Sequence, residues 1–471
     1  MAFREPLAFV SNFIAQLNKS ISSDSHNLRL SPRQTLWLSF CVTAILLSNS
    51  LCWARFERLS FGKMTVAALS WMFRSSKIPW DILLTHSIRT VLRQFGLSEG
   101  QLVIDDSDNK RSKSASSIAH VHKMRDKISG GYVMGQQIVF LLLVTPKITL
   151  PVGFAFYQPD PAWKLWQKED KGLKKAGITK KNRPVKPPRD THYPTMQTIA
   201  LNLLAQFAHN HPMIRIRCVL ADALYGTQAF MQAASKIYGG VQVISQIRCN
   251  QRITTKNRSQ SVQAYFTSYP GVQFNLCVRG GDTQTVTLAG ARLHVDAHGT
   301  KLFVVAIRYE GEKENRYIVA TDLTWRMTDI AQVYTLRWLV EVFFQDWKSY
   351  EGWCQLAKQP GVDGAYRGLL LSLLTDHSLF FHEEQKALLE HKLPASTVGS
   401  LRVRVHFEAL TGFIREIISC DNPEAKLEEL LTEIRGLIML KPSSKHMNPF
   451  ILGRMEQTPS LKYRGRNNAA L

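Results

Sequence analysis

The sequence predicts an α/β fold: three strands, helix, strand, helix and strand form a core, a β-rich stretch interrupts it, and helical regions flank it. Three observations carry this reading. β-branched and aromatic runs alternate with helical apolar spacing across residues 99–247. Residues 248–324 hold several further strand-like runs divided by glycine turns, and apolar spacing is helical in residues 1–98 and from 356 onward. The chain of 471 residues is long enough for about two to four domains. Hydrophobic residues make up 45% of it, enough for a large core.

Taken in order, residues 36–53, 64–72 and 82–95 have the periodicity of helices, separated by polar or Pro-bearing joints such as residues 75–79. Arg55, Arg58, Lys63, Arg74, Arg89 and Arg93 make this region basic, which suits a helical DNA-binding role. A short strand, residues 102–104, is expected to end at Asp105-Asp106. A basic, serine-rich loop with Lys110, Arg111, Lys113, Lys123 and Arg125 follows. Residues 137–144 and 148–157 are strong strands.

Residues 164–189 carry ten Lys/Arg against two acidic residues, with Pro184, Pro187 and Pro188. This composition predicts a loop, either a solvated linker or an arm that grips DNA. A helix at 195–208, a strand at 214–220 delivering Asp222, a helix at 227–238 and a strand at 241–247 complete the core. Strand-like runs at 273–278, 284–295, 302–309 and 316–321 form the β-rich stretch, with turns at Gly280-Gly281 and His298-Gly299. A helix over 330–349 follows, then helices around 365–386 and 425–440 and a basic tail after Lys441.

Charge narrows the function. Lys plus Arg number 59 and Asp plus Glu 37, a net charge of +22. Such an excess suits a polyanion, since each neutralised phosphate releases a condensed counterion; an anionic membrane or a ribosome would also attract it. The cysteines Cys41, Cys52, Cys218, Cys249, Cys277, Cys354 and Cys420 form no CxxC pair, so neither a zinc site nor a disulfide framework is indicated, and a reducing cytosol fits. Residues 35–52 lack charge and approach the length of a membrane span, but their Ser, Thr and Asn content favours a buried helix.

The chemistry concentrates in the helix over 330–349. With about 100° per residue, Tyr334, Arg337, Glu341 and Lys348 fall within roughly 60° of arc. Leu336, Val340, Phe343 and Trp347 form the core stripe, and the four polar positions are expected on the opposite face. Arg337 and Glu341 at i,i+4 also suit a plain solvated ion pair. Asp105 and Asp222 at strand ends change the balance: two aspartates and a helical glutamate are hard oxygen donors of the kind that hold Mg²⁺ or Mn²⁺ for phosphodiester chemistry.

The spacing Tyr334-x2-Arg337-x3-Glu341-x6-Lys348, with Asp105-Asp106-Ser107 and Ala221-Asp222-Ala223, resembles the Y-R-E-K signature and aspartate motifs of bacterial insertion-sequence transposases of the DDE class. The resemblance spans about residues 100–355. It implies an RNase-H-like catalytic core (99–247 and 325–355) interrupted by a β-strand insertion (248–324), between a helical N-terminal region (1–98) and a helical C-terminal region with a basic tail (356–471). It implies that Asp105, Asp222 and Glu341 bind two catalytic Mg²⁺, replaceable by Mn²⁺. Tyr334, Arg337 and Lys348 would contact phosphates at the element's end. The implied activity is cut-and-paste transposition: cleavage at the terminal inverted repeats, then 3′-hydroxyl attack on target DNA. An inactive, DNA-binding derivative is the alternative. The implied partners are double-stranded DNA and a second copy of the chain in a synaptic dimer, with no membrane, in the bacterial cytoplasm at the nucleoid. Asp106 is the alternative first ligand, since neighbours on a strand face opposite sides. Trp325 is a candidate stacking platform for a flipped base, with a core role as the other reading.

Overall fold

The computed structural model describes residues 5–24, 28–111, 115, 117–126, 129–255, 258–278, 282–353 and 359–437. Helices α1 (Ala8–Asp24), α2 (Pro32–Ser48), α3 (Trp53–Leu59), α4 (Val66–Ser75) and α5 (Trp80–Gln94) precede the first strand. A capping box starts α2: the Ser31 hydroxyl accepts the Gln34 N–H and the Gln34 side chain accepts the Ser31 N–H, with Pro32 in the first turn. Every residue of α2 from Trp37 to Leu47 is buried, and α3 turns away by 92°. The uncharged stretch is therefore the centre of a helix bundle. Among the described residues, no single helix is long and apolar enough to cross a membrane.

The sheet contains β1 (Glu99–Arg111), β2 (His122–Arg125), β3 (Tyr132–Val144) and β4 (Thr149–Tyr157). After α6 (Pro161–Lys175) and α7 (Met196–Asn210) come β5 (Arg215–Ala221), α8 (Gln228–Ile237) and β6 (Gln242–Ile247). β4, β3 and β1 pair antiparallel, whereas β1, β5 and β6 run parallel. The resulting order, β4-β3-β1-β5-β6, is RNase-H-like. The parallel pairs need crossovers, which α7 and α8 supply.

The inserted stretch does not stand apart. It comprises β7 (Arg252–Thr255), β8 (Arg258–Ser261), α9 (Val262–Ser268), β9 (Val272–Cys277), β10 (Thr283–Val295), β11 (Thr300–Tyr309) and β12 (Arg316–Ala320). β12 pairs antiparallel with β6, so core and insertion share one twelve-stranded sheet. The His298-Gly299 turn is present, with Gly299 at φ 58°, where a Cβ is costly. The Gly280-Gly281 turn lies outside the described residues, as do Lys113, Cys354 and the tail after Lys441.

Then come α10 (Met327–Tyr334), α11 (Trp338–Tyr350), α12 (Gly361–Leu379), α13 (Glu383–Glu390), α14 (Val398–Ile418) and α15 (Pro423–Leu437). Helix α12 is buried from Gly368 to Leu379 and packs on α1, α2 and α5. Helices from both ends of the chain thus build one bundle. Asn49, the left-handed C-cap of α2, ties that bundle to the end of α11: its amide donates to the Ser349 carbonyl (2.6 Å) and accepts the Gly352 N–H (2.9 Å). Residues 1–413 form one compact unit and 414–471 a second, in which the end of α14 and α15 are described.

Four expectations need correction. β1 does not stop at Asp105 but continues to Arg111, because the long β3 pairs with it as far as Met134. The basic loop after it contains the strand β2, paired to the same β3. Residues 164–189 are not a structureless loop: α6 occupies their first half. The helix expected over 330–349 is broken by a 3₁₀ turn at Thr335–Arg337.

Candidate active site

Sheet register brings the two aspartates together. Ile104 on β1 lies beside Ala221 on the parallel β5, so Asp105 and Asp222 are the next residues along adjoining strands. Neighbouring strands are about 4.8 Å apart. Asp105 is a mid-strand residue, 7% exposed, on the same face as its cross-strand partner Phe140. Asp222 is the first residue beyond β5 and opens a 3₁₀ turn at Ala223–Tyr225. Its backbone is gripped on both sides. The Ser245 hydroxyl donates to the Asp222 carbonyl (2.8 Å), and the Tyr334 hydroxyl donates to the Ala221 carbonyl (3.3 Å).

Helix α11 crosses this face of the sheet. Phe140 meets Phe343, Phe344 and Trp347 with ring centroids 5.6, 5.5 and 4.9 Å away. That anchors the apolar stripe over β3 and turns the polar stripe over β1. The two stripes are adjacent on the helix, not opposed, so both touch the sheet. The Arg337 guanidinium donates to the Asp105 carboxylate at 2.9 Å and lies 3.5 Å from Glu341. The Lys348 ammonium donates to the Asp108 carbonyl at 2.9 Å.

Despite the 3₁₀ turn, Arg337 and Lys348 address β1, the strand that holds Asp105, while Tyr334 reaches the end of β5 and Glu341 is joined to the group through Arg337. Their surroundings differ from open phosphate contacts. Tyr334 is buried, and its hydroxyl would have to leave Ala221 to reach a phosphate. Asp106 occupies the opposite face of β1, where Gln137 donates to it at 3.0 Å. Trp325 is half-buried and packs on the hydrophobic core.

Electrostatics couple the group. Burial pushes the Asp105 carboxyl up to about 7, even though Arg337 pulls it down. Burial also acts against the Arg337 charge, but Tyr334, Asp105, Asp222 and Glu341 carry its pKa above the ordinary value. Among the described residues, no three His, Cys, Asp or Glu side chains stand in a ligating arrangement. The donor set nevertheless suits a hard cation: it is all carboxylate, and the buried Asp105 is stabilised as an anion chiefly by a positive neighbour, with the Asp106 N–H also donating to it at 2.8 Å. That neighbour is Arg337, so a metal ion would take over the guanidinium's electrostatic role.

Two contributors escaped sequence reasoning. Tyr225 is buried beside Asp106, Asp105 and Asp222, whose charges add to burial in keeping its hydroxyl protonated. Gly226 packs so closely on the Gln246 carbonyl that a Cβ would collide with it. The glycine shortly after Asp222 was the available signal for that tight approach.

Fold and site together define a carboxylate-centred α/β protein. Residues 62–265 match the family model of the DDE superfamily endonuclease; this stretch includes Asp105 and Asp222 and ends before Glu341. Among solved structures, the chain is similar to a piggyBac transposase synaptic complex with hairpin DNA. The identity is 11% and the TM-score 0.43, over 92% of this chain and 85% of that one. It is also similar to the NurA nuclease from Sulfolobus solfataricus, with 8% identity and a TM-score of 0.23, over 50% of this chain and 72% of that one. No curated protein matches the chain.

Proposed function

We propose that the chain is a DNA transposase of the DDE type, with Asp105, Asp222 and Glu341 as its acidic residues. The observation that carries this reading is the level placement of Asp105 and Asp222 on β1 and β5, with Glu341 linked to Asp105 through Arg337. The family match over residues 62–265 and the net charge of +22 support it. In this reading residues 1–98 bind DNA, 99–247 with 325–355 form the catalytic core, 248–324 are its insertion, and 356–471 complete the helical scaffold.

Asp105, Asp222 and Glu341 would hold two Mg²⁺, or Mn²⁺, which when bound activate the attacking oxygen and stabilise the leaving one. Lys348 and Arg337 orient the phosphate backbone. In cleavage, a water oxygen bonds to phosphorus, the 3′-oxygen leaves with a proton, and a 3′-hydroxyl and a 5′-phosphate result. In strand transfer, that 3′-hydroxyl attacks a target phosphodiester and displaces the target's own 3′-oxygen. Two element ends react together in a homodimer on double-stranded DNA.

Arg337 between Asp105 and Glu341 supports a second reading, a DNA-binding protein that has kept the fold and lost the chemistry. The test is nicking of duplex DNA carrying the element's flanking inverted repeats. Mg²⁺-dependent nicking that chelation abolishes and Glu341→Ala removes is the expected result. Tight binding of the same duplex without any nicking, in Mg²⁺ or Mn²⁺, would sink the enzymatic reading and leave the second.

A further inference from the structure

The basic segment between β4 and α7 is a built arm. The Asp160 carboxylate fixes its base: one oxygen caps α6 through the Ala162 and Trp163 N–H groups, and the other accepts the Asp190 N–H at 3.5 Å. The returning chain is stapled along the helix. Arg189 and Lys186 lie over the Trp163 ring, at 3.6 and 4.5 Å. The Trp166 indole donates to the Pro184 carbonyl (2.9 Å), and Arg183 pairs with Asp170 (2.9 Å). Trp163, Trp166 and Asp170 form one stripe of α6, and that stripe is covered.

A second stripe is left to solvent. Lys164, Lys168, Lys171 and Lys175 fall within roughly 60° of arc on the helix and are all exposed. They span about 16 Å at about 1.5 Å per residue. One strand of duplex DNA offers a phosphate about every 3.4 Å of axis, so the stripe matches a short run of backbone.

The arm's root meets β2, which flanks β3 on the side away from β1. The Lys164 ammonium donates to the Lys123 carbonyl on β2 at 3.4 Å. Lys164 and Asp108 both act electrostatically on the neighbouring His122, and Asp108 is the residue whose carbonyl Lys348 holds. We infer that the lysine stripe of α6 is a sequence-independent clamp for the phosphate backbone of duplex DNA. This deepens the proposed function and rests on it for duplex DNA as the ligand.

Lysine is a point charge with no geometric code, which suits positioning and not base reading. A membrane-surface helix would present an apolar face; here the tryptophans are covered, and Leu165 is the one large apolar side chain of α6 among the exposed residues.

The test uses the full chain, a fluorescein-labelled duplex of arbitrary sequence, and a salt series followed by anisotropy. Lys168→Gln/Lys171→Gln/Lys175→Gln is expected to make the slope of log K against log salt shallower by about 3, while Lys→Arg at the same positions keeps the parent slope. An unchanged slope in the Gln variant, with an unchanged melting temperature, overturns the clamp. So does a loss of binding confined to vesicles of anionic lipid. Nicking in Mg²⁺ is read in parallel. Parent protein that never nicks, with the slope change intact, defeats the enzymatic reading and leaves the clamp; nicking with an unchanged slope defeats the clamp alone.

Discussion

Arg337 holds Asp105 at 2.9 Å in a place where both side chains are nearly out of solvent, with 14% and 10% of their surface exposed. Removing the cation leaves a buried carboxylate without its partner, which costs about 3–5 kcal/mol. Arg337→Ala should therefore unfold at markedly lower denaturant, and Arg337→Ala/Asp105→Asn should recover most of the loss. Equilibrium urea unfolding of the two variants and the parent checks this. A single variant within half a kcal/mol of the parent, on the scale of an exposed pair (about 0–1 kcal/mol), would refute the burial argument.

Gly226→Ala should separate stability of the loop from binding. The added Cβ meets the Gln246 carbonyl and, at 3.1 Å, the Ser245 hydroxyl that holds the Asp222 backbone. Overpacking of this kind costs about 1–3 kcal/mol. The expected outcome is a large drop in Mg²⁺-dependent nicking with duplex affinity retained, since no basic residue moves. Unaltered nicking would mean that the turn after Asp222 does not position the carboxylate.

The bundle's grip on α11 is open to a direct test. Asn49→Ala strands the Ser349 carbonyl and the Gly352 N–H and leaves a non-glycine residue at φ 50°. The unmet buried Gly352 N–H alone costs about 1–3 kcal/mol. Asn49→Gly relieves the backbone strain but not the lost bonds, so its stability should fall between alanine and parent. Equal stability of Gly and parent, by thermal unfolding, would show that the amide contacts contribute nothing.

A pH dependence follows from Glu351 and Asp376, two buried carboxyls near the end of α11 and in α12. Burial, reinforced for Glu351 by the Asp376 charge, holds both above the ordinary carboxylate range, and Asp346 adds to it. Groups raised in the folded state contribute stability that is complete below their unfolded values, near pH 4, and is lost as pH rises through the folded ones. Asp376→Asn removes one titrating partner. It should match the parent at pH 4 and exceed it in urea midpoint at pH 8. A variant less stable than the parent at pH 8 would contradict the sign.

Much of this was legible in the residues, for reasons that also explain what was not. Runs such as Val139 to Val144 are apolar enough to be buried on both faces, and the polar stripe meets the sheet through Arg337 and Lys348 on β1 and Tyr334 on β5. β1 beyond Asp105 reads Asp-Ser-Asp-Asn-Lys-Arg, which no local propensity makes a strand; pairing with β3 does. Helix α6 buries no residue, so its apolar stripe is repaid only by the stapled return strand, a contact far from obvious in a lysine-rich segment. The 3₁₀ turn at Thr335–Arg337 left no mark in the letters at all. Helix α14 was expected only as part of the helical region from 356 onward, without bounds of its own; its Leu401 and Val405 are buried four residues apart.

The antiparallel seam between β6 and β12 has a protective consequence. A five-strand core alone would end at β6, baring a row of backbone donors and acceptors along Val243 to Ile247 that invites another chain to add on. Strand β12 occupies that row, and the boundary passes to β8, four polar residues of Arg-Ser-Gln-Ser, and to β9, where the Gln332 side chain holds the Cys277 N–H and carbonyl. Excising the insertion would thus be expected to turn a well-behaved chain into one that sticks to its own kind.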